Sequence, residues 1–298
     1  MENKLTIKDG SIAFISGLVL CQIGTAIFAA ICLSFATFFG ISNEMFFTFL
    51  DTAFGILLTS LFMDGIIVLI FFFFNKNKDN KILSKPTFKK VLIYILLAVL
   101  LYLLLYPIVT VFNNIICKFF PKSDFKYKLT TTNYFISLVS MVILPAIAEE
   151  LLFRGLIFKG LQKHSNIFAI IMSSIMFSLF HLSLEQTIYP ILMGLVLAVI
   201  MCYENNIIYC ITIHFVNNFT TLTLKFFDIN LVFKSWSYYL LAFICAAIFI
   251  TLLIYAFRKL KNKKQKIESE HKAYLTICLG VVLLIWIIVQ LSVIFKGL

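Results

Sequence analysis

The chain has 298 residues, 61% of them hydrophobic and only 13% charged, with a mean hydropathy of +1.01. A soluble globular domain carries about a quarter charged residues, so the composition excludes a soluble enzyme and predicts an all-α, polytopic transmembrane bundle. The formal net charge of +11 does not predict a nucleic-acid partner. The lysines cluster in short loops beside apolar runs, with no interleaved basic and aromatic residues on a soluble domain, and membrane orientation accounts for them.

Nine apolar stretches follow one another: 12–39, 46–74, 88–116, 133–158, 167–182, 187–203, 207–226, 236–257 and 273–295. Eight to nine spanning helices are therefore expected. The first stretch is too long for the core of a signal peptide and lacks a small-residue cleavage site, so it reads as a retained helix. The fifth and sixth are short, which predicts tilted helices or a partly buried connecting loop. No internal repeat, soluble domain or long linker interrupts the chain, so 1–298 is expected to form a single integral-membrane domain. Cys21, Cys32, Cys117, Cys202, Cys210, Cys245 and Cys278 form no C-x-x-C pair and read as small buried hydrophobes.

Loop 75–90 carries six lysines and loop 258–272 seven basic residues, and alternation of nine helices puts both on one side. By the positive-inside rule that side is cytoplasmic, which places the N-terminus in the cytoplasm and the C-terminus outside. Seventeen basic residues then lie inside and seven outside, with the lysine-rich 118–128 loop dissenting.

Charge at membrane depth costs roughly 2.5–3.5 kcal/mol per residue near a helix centre. Three such residues nevertheless sit together in the run from Pro145 to Gly155: Glu149, Glu150 and Arg154. Glu150 and Arg154 are four apart and can pair along one helix face. Glu149, about 100° around the helix, is left to face a cavity. Pro145, four residues earlier, removes a backbone donor and favours a kink there, and irregular backbone at this depth is tolerated beside a water-filled pocket.

Later segments add Phe177 and His181, then His214 and Asn218. A buried carboxylate can take a proton from water, a histidine can orient that water or pass the proton on, and a second histidine with an amide can donate to an oxyanion. Each piece alone has an ordinary reading as an ion pair or an interhelical hydrogen bond. Asp51 and Asp64 also lie in an apolar run, with no chemistry expected beyond packing or an interfacial place. The combination carries the argument.

In order and spacing, E-E-x-x-x-R (Glu149, Glu150, Arg154), F-x-x-x-H (Phe177, His181) and H-x-x-x-N (His214, Asn218) resemble the CPBP intramembrane proteases. That family includes the type II CAAX prenyl endopeptidases and the bacterial Abi or bacteriocin-processing relatives. The resemblance covers about 133–220, the expected catalytic core. It implies Glu149 as the base that activates water, His181 assisting, His214 and Asn218 stabilising the oxyanion, and supporting roles for Glu150, Arg154 and Phe177. It also implies a metal-independent mechanism. Glu149, His181 and His214 could instead supply three ligands of a catalytic zinc with water as the fourth, although no H-E-x-x-H is present.

The expected function is thus an intramembrane endopeptidase acting on a peptide precursor or membrane-associated protein in the lipid bilayer. The Lys/Asn/Ile/Phe-rich composition suggests an AT-rich bacterial genome and a multi-pass protein of the cell membrane, with a bacteriocin, peptide pheromone or signal-peptide remnant as substrate. A non-catalytic membrane partner, for bacteriocin self-immunity or a sensor kinase, is the alternative. A proton-coupled transporter is a third reading, without the inverted repeat or broken helices it calls for. The orientation conflicts with CAAX processing, which needs a cytosolic opening, because His181 falls toward the external end of its helix.

Overall fold

The computed structural model describes residues 4–76, 78–116, 118, 129–229, 231, 236–260 and 269–297. Cys117 and most of the basic loops 118–128 and 258–272 lie outside the described residues. The described chain is helical: α1 Ile7–Phe38, α2 Asn43–Leu50, α3 Ala53–Asn75, α4 Phe88–Ile116, α5 Thr131–Gln162, α6 Asn166–Phe180, α7 Ile188–Glu204, α8 Ile207–Phe226, α9 Trp236–Lys259 and α10 Ser269–Gly297. Seven of these, α1, α3, α4, α5, α8, α9 and α10, are long and apolar enough to cross a membrane. The shorter apolar helices α6 and α7 complete the set, and the protein is a multi-pass membrane bundle.

Helix ends follow local chemistry. The first helix begins five residues earlier than its apolar pattern because Thr6 and Asp9 form a capping box. In it Asp9 N–H donates to Thr6 Oγ1 and Thr6 N–H to Asp9 Oδ2. The expected second span, 46–74, is broken at Asp51–Thr52, and Thr52 caps α3 by accepting from Gly55 N–H. The break is tight: a Cβ on Gly55 would stand 2.3 Å from the Phe49 carbonyl oxygen. At 15 and 17 residues, α6 and α7 reach only about 22 and 26 Å. The residues joining them, 181–187, are mostly half-buried.

The bundle is organised around α5, whose stretch Leu152–Phe158 is fully buried. Outer helices show the reverse pattern, with Ile27, Leu69, Leu96, Phe243 and Leu284 exposed as a hydrocarbon-facing surface. Small residues set the closest approach: a Cβ on Gly160 would lie 2.4 Å from the Thr6 carbonyl oxygen, and one on Gly10 3.2 Å from that of Ile157. This is the small-residue packing by which helices associate in lipid.

The N-terminus, residues 78–84, the α5–α6 turn and the α7–α8 turn share one end of the bundle. Lys78 Nζ lies 3.2 Å from Asp9, Lys163 Nζ donates to the Lys4 carbonyl, Asn205 donates to the Lys81 carbonyl and Ile207 N–H to that of Ile82. We call this end the lysine face.

Candidate active site

Within α5 the backbone departs from α geometry on both sides of the glutamates. Leu138–Ile143 and Leu151–Phe158 are π-helical, and Leu144–Glu150 between them is α-helical. Pro145 cannot donate, so the carbonyls it would have served, Met141 in an α turn or Ser140 in a π turn, need other donors. Neighbouring helices supply them. Ser60 Oγ on α3 donates to the Ser140 oxygen at 3.0 Å, and Asn218 Nδ2 on α8 donates to the Met141 oxygen at 3.3 Å. The expected irregularity at Pro145 is therefore a π segment just before the proline, with the carbonyls the proline leaves free held by side chains of two other helices.

The two glutamates have different surroundings. Glu150 and Arg154 are fully buried and paired at 3.0 Å, as their spacing predicts. Glu150 Oε1 also accepts from His214 Nδ1 at 2.9 Å, and Arg154 Nη2 donates to the Gly194 carbonyl on α7. The Arg154 guanidinium stacks 4.6 Å over the Phe177 ring, which also meets the His181 and His214 rings edge-on. Glu149 Oε2 is buried with no hydrogen-bond partner among the described residues and lies 3.9 Å from His214 Nε2.

Glu149, Phe177, His181, His214 and Asn218 line one cavity of about 580 Å³ between α4, α5, α6, α7 and α8. Tyr102, Tyr106, Met193 and Leu197 make much of its remaining wall. Its rim, with Asn113, Glu185, Gln186 and Lys225, lies at the bundle end opposite the lysine face. Hydrogen-bond directions fix the two imidazoles. A carbonyl oxygen only accepts, so His181 Nδ1 carries the proton it shares with the Phe177 carbonyl at 2.9 Å. Likewise His214 Nδ1–H points at the Glu150 carboxylate. Each ring thus has Nε2 uncommitted to these bonds.

Several residues of the site escaped the sequence reading. Asn217, one position before Asn218, is fully buried and accepts from the Tyr189 hydroxyl at 2.9 Å. Its spacing of three from His214 was the available signal. Asp64, read from the sequence as packing or interfacial, is buried on α3, whereas Asp51 terminates α2. Gln290, on α10, donates at 2.8 Å to the carbonyl of Leu182, which has φ of +50° and directly follows His181. Nothing local to position 290 announces that contact. As for zinc, no three His, Cys, Asp or Glu side chains among the described residues are grouped to hold a metal ion.

The described residues form a polytopic helical bundle with Glu149, His181 and His214 lining one cavity. Residues 131–220 match the family model described as type II CAAX prenyl endopeptidase Rce1-like, and this supports assignment to the CPBP/CAAX protease family. The matched stretch runs from the start of α5 into α8 and contains all seven motif residues. No curated protein and no solved structure matches the chain.

Proposed function

We propose that this protein is an intramembrane endopeptidase in which Glu149 activates water. The observation carrying this reading is Glu149 Oε2, buried without a hydrogen-bond partner among the described residues, in a cavity also lined by His181, His214 and Asn218. Glu149 takes a proton from water, the resulting hydroxide attacks the peptide carbonyl, and the proton is delivered to the leaving amine as the C–N bond breaks. His181 Nε2 accepts a hydrogen bond from the same water and helps to orient it. A gap of 3.9 Å between Glu149 and His214 suits one bridging molecule better than a direct bond.

The oxyanion is met by Asn218 and His214. An amide nitrogen has two hydrogens, so Asn218 can hold the Met141 carbonyl with one and offer the other. His214 Nε2 donates when it carries a proton, its ring oriented by Glu150 and Arg154. No metal takes part in this scheme. The substrate is an apolar peptide precursor or a membrane-associated protein, in keeping with the aromatic and aliphatic cavity wall, and the protein belongs in a bacterial cell membrane with the lysine face in the cytoplasm.

The test is peptide cleavage by purified protein in liposomes, comparing wild type with Glu149→Gln and His181→Ala, with and without a chelator. Loss of the general base should lower turnover by about 10²–10⁴-fold, and the wild type should resist chelation. Undiminished cleavage by Glu149→Gln would refute the mechanism, and loss of activity on chelation with zinc copurifying would restore the metal reading. Peptide binding without turnover in the wild type would favour the non-catalytic partner.

A further inference from the structure

A second hollow lies at the other end of the bundle, on the lysine face. It has a volume of about 350 Å³, within the ~300–1,000 Å³ of small-ligand pockets, and is formed where the N-terminus, residues 79–81, the end of α5 and the α7–α8 turn meet. Among the described residues, Lys4, Lys81, Lys159 and Lys163 line it, with Asp79 as the one carboxylate.

The walls are fixed by hydrogen bonds that do not consume this charge. Asn205, in the left-handed conformation at φ +48°, donates to the Lys81 carbonyl. Asn80 Nδ2 donates to the Gly155 carbonyl and to Asn75 Oδ1, both at 2.9 Å. Lys159 Nζ donates to Gln162 Oε1 and Asn205 Oδ1, both neutral. Among the described residues, neither Lys81 nor Lys159 has a carboxylate within ion-pairing distance. Lys81 and Lys159, with the amides of Gln162 and Asn205 beside them, bring positive charge to one concavity that an anion would offset. The hollow also sits at the ends of the spanning helices α1, α3, α5 and α8, where the hydrocarbon gives way to water. Basic pockets between helix ends at that level suit anionic lipid headgroups.

We infer that this hollow is a binding site for a phosphate group, carried by an anionic lipid headgroup or by free phosphate. Lys159 and Lys81 are its principal charges, and Gln162 and Asn205 hold Lys159 in place. The site is separate from the cavity of Glu149 and does not depend on the protease reading.

The test uses the purified full chain in neutral detergent, titrated separately with phosphatidylglycerol, phosphatidylcholine and inorganic phosphate. Thermal stability and lipid retained in native mass spectrometry are the two readouts. Phosphatidylglycerol should raise Tm and stay bound, and phosphatidylcholine should do neither. Lys159→Gln and Lys81→Gln should each lose most of that shift, while Lys85→Gln, on the same face but outside the hollow, should keep it. Lys81 is exposed, so its variant remains informative if Lys159→Gln folds poorly. An equal shift from inorganic phosphate, lost in the same two variants, would assign the site to free phosphate. A wild type that responds to neither phosphatidylglycerol nor phosphate would overturn the inference, as would equal responses in all three variants.

Discussion

Glu150 carries two donors on one oxygen, Arg154 and His214, and this sharing decides how the site tolerates substitution. Removing Arg154 leaves a buried carboxylate bonded only to an imidazole and strips the cation from the Phe177 ring. Arg154→Met should cost about 3–5 kcal/mol, the range for breaking a buried ion pair from one side. Glu150→Gln combined with Arg154→Met should cost less than the sum of the two single changes, because no lone charge stays behind. Unfolding of the four proteins in a mixed-detergent denaturation series checks both statements, and additive costs would contradict the shared-oxygen arrangement. The Glu150–Arg154 pair was legible from its spacing of four. The His214–Glu150 bond was not, because it joins residues 64 positions apart, and no periodicity within α5 or α8 points to the other helix.

At the scale of elements, the irregular course of α5 was only half legible. Pro145 marked the place, but an expectation of a kink gives no sight of π segments flanking both glutamates or of the side chains that satisfy the freed carbonyls. Ser60→Ala should leave the Ser140 carbonyl short of a donor and cost about 1 kcal/mol, read as lowered thermal stability. The α10 contact to Leu182 offers a sharper case. Gln290→Leu keeps an apolar fit in the bundle but frees the corner directly after His181, so turnover should fall more than stability. Gln290→Glu, protonated within the bundle, should restore part of it by donating to the same carbonyl. Equal turnover in wild type and Gln290→Leu would show that the corner holds its shape unaided. Elsewhere the apolar runs located the spans well; the larger shifts fall at Thr6 and Thr52, where caps intervene, and at the end of α5 and the start of α10, which each run four residues past their apolar stretch.

For the whole molecule, the alternation of helices and the clustering of lysines were enough to group the N-terminus with residues 75–90, and the Lys78–Asp9 contact joins them directly. Single cysteines placed at Ser84 and Gln186, both exposed, should react with impermeant reagents from opposite sides of a sealed membrane. Labelling of both from one side would contradict this arrangement.

The reaction cavity and the lysine-lined hollow open at opposite ends of the same bundle. Vesicles prepared with mixed orientation would therefore sort the molecules into two complementary populations. The share whose cavity is reachable from outside and the share whose hollow is reachable should sum to unity, whatever the insertion bias of a given preparation. A peptide supplied on one side would report on one population, and a soluble anion supplied on that side would report on the other. On the two proposals together, cargo would be processed from one compartment while the anion site meets the opposite leaflet.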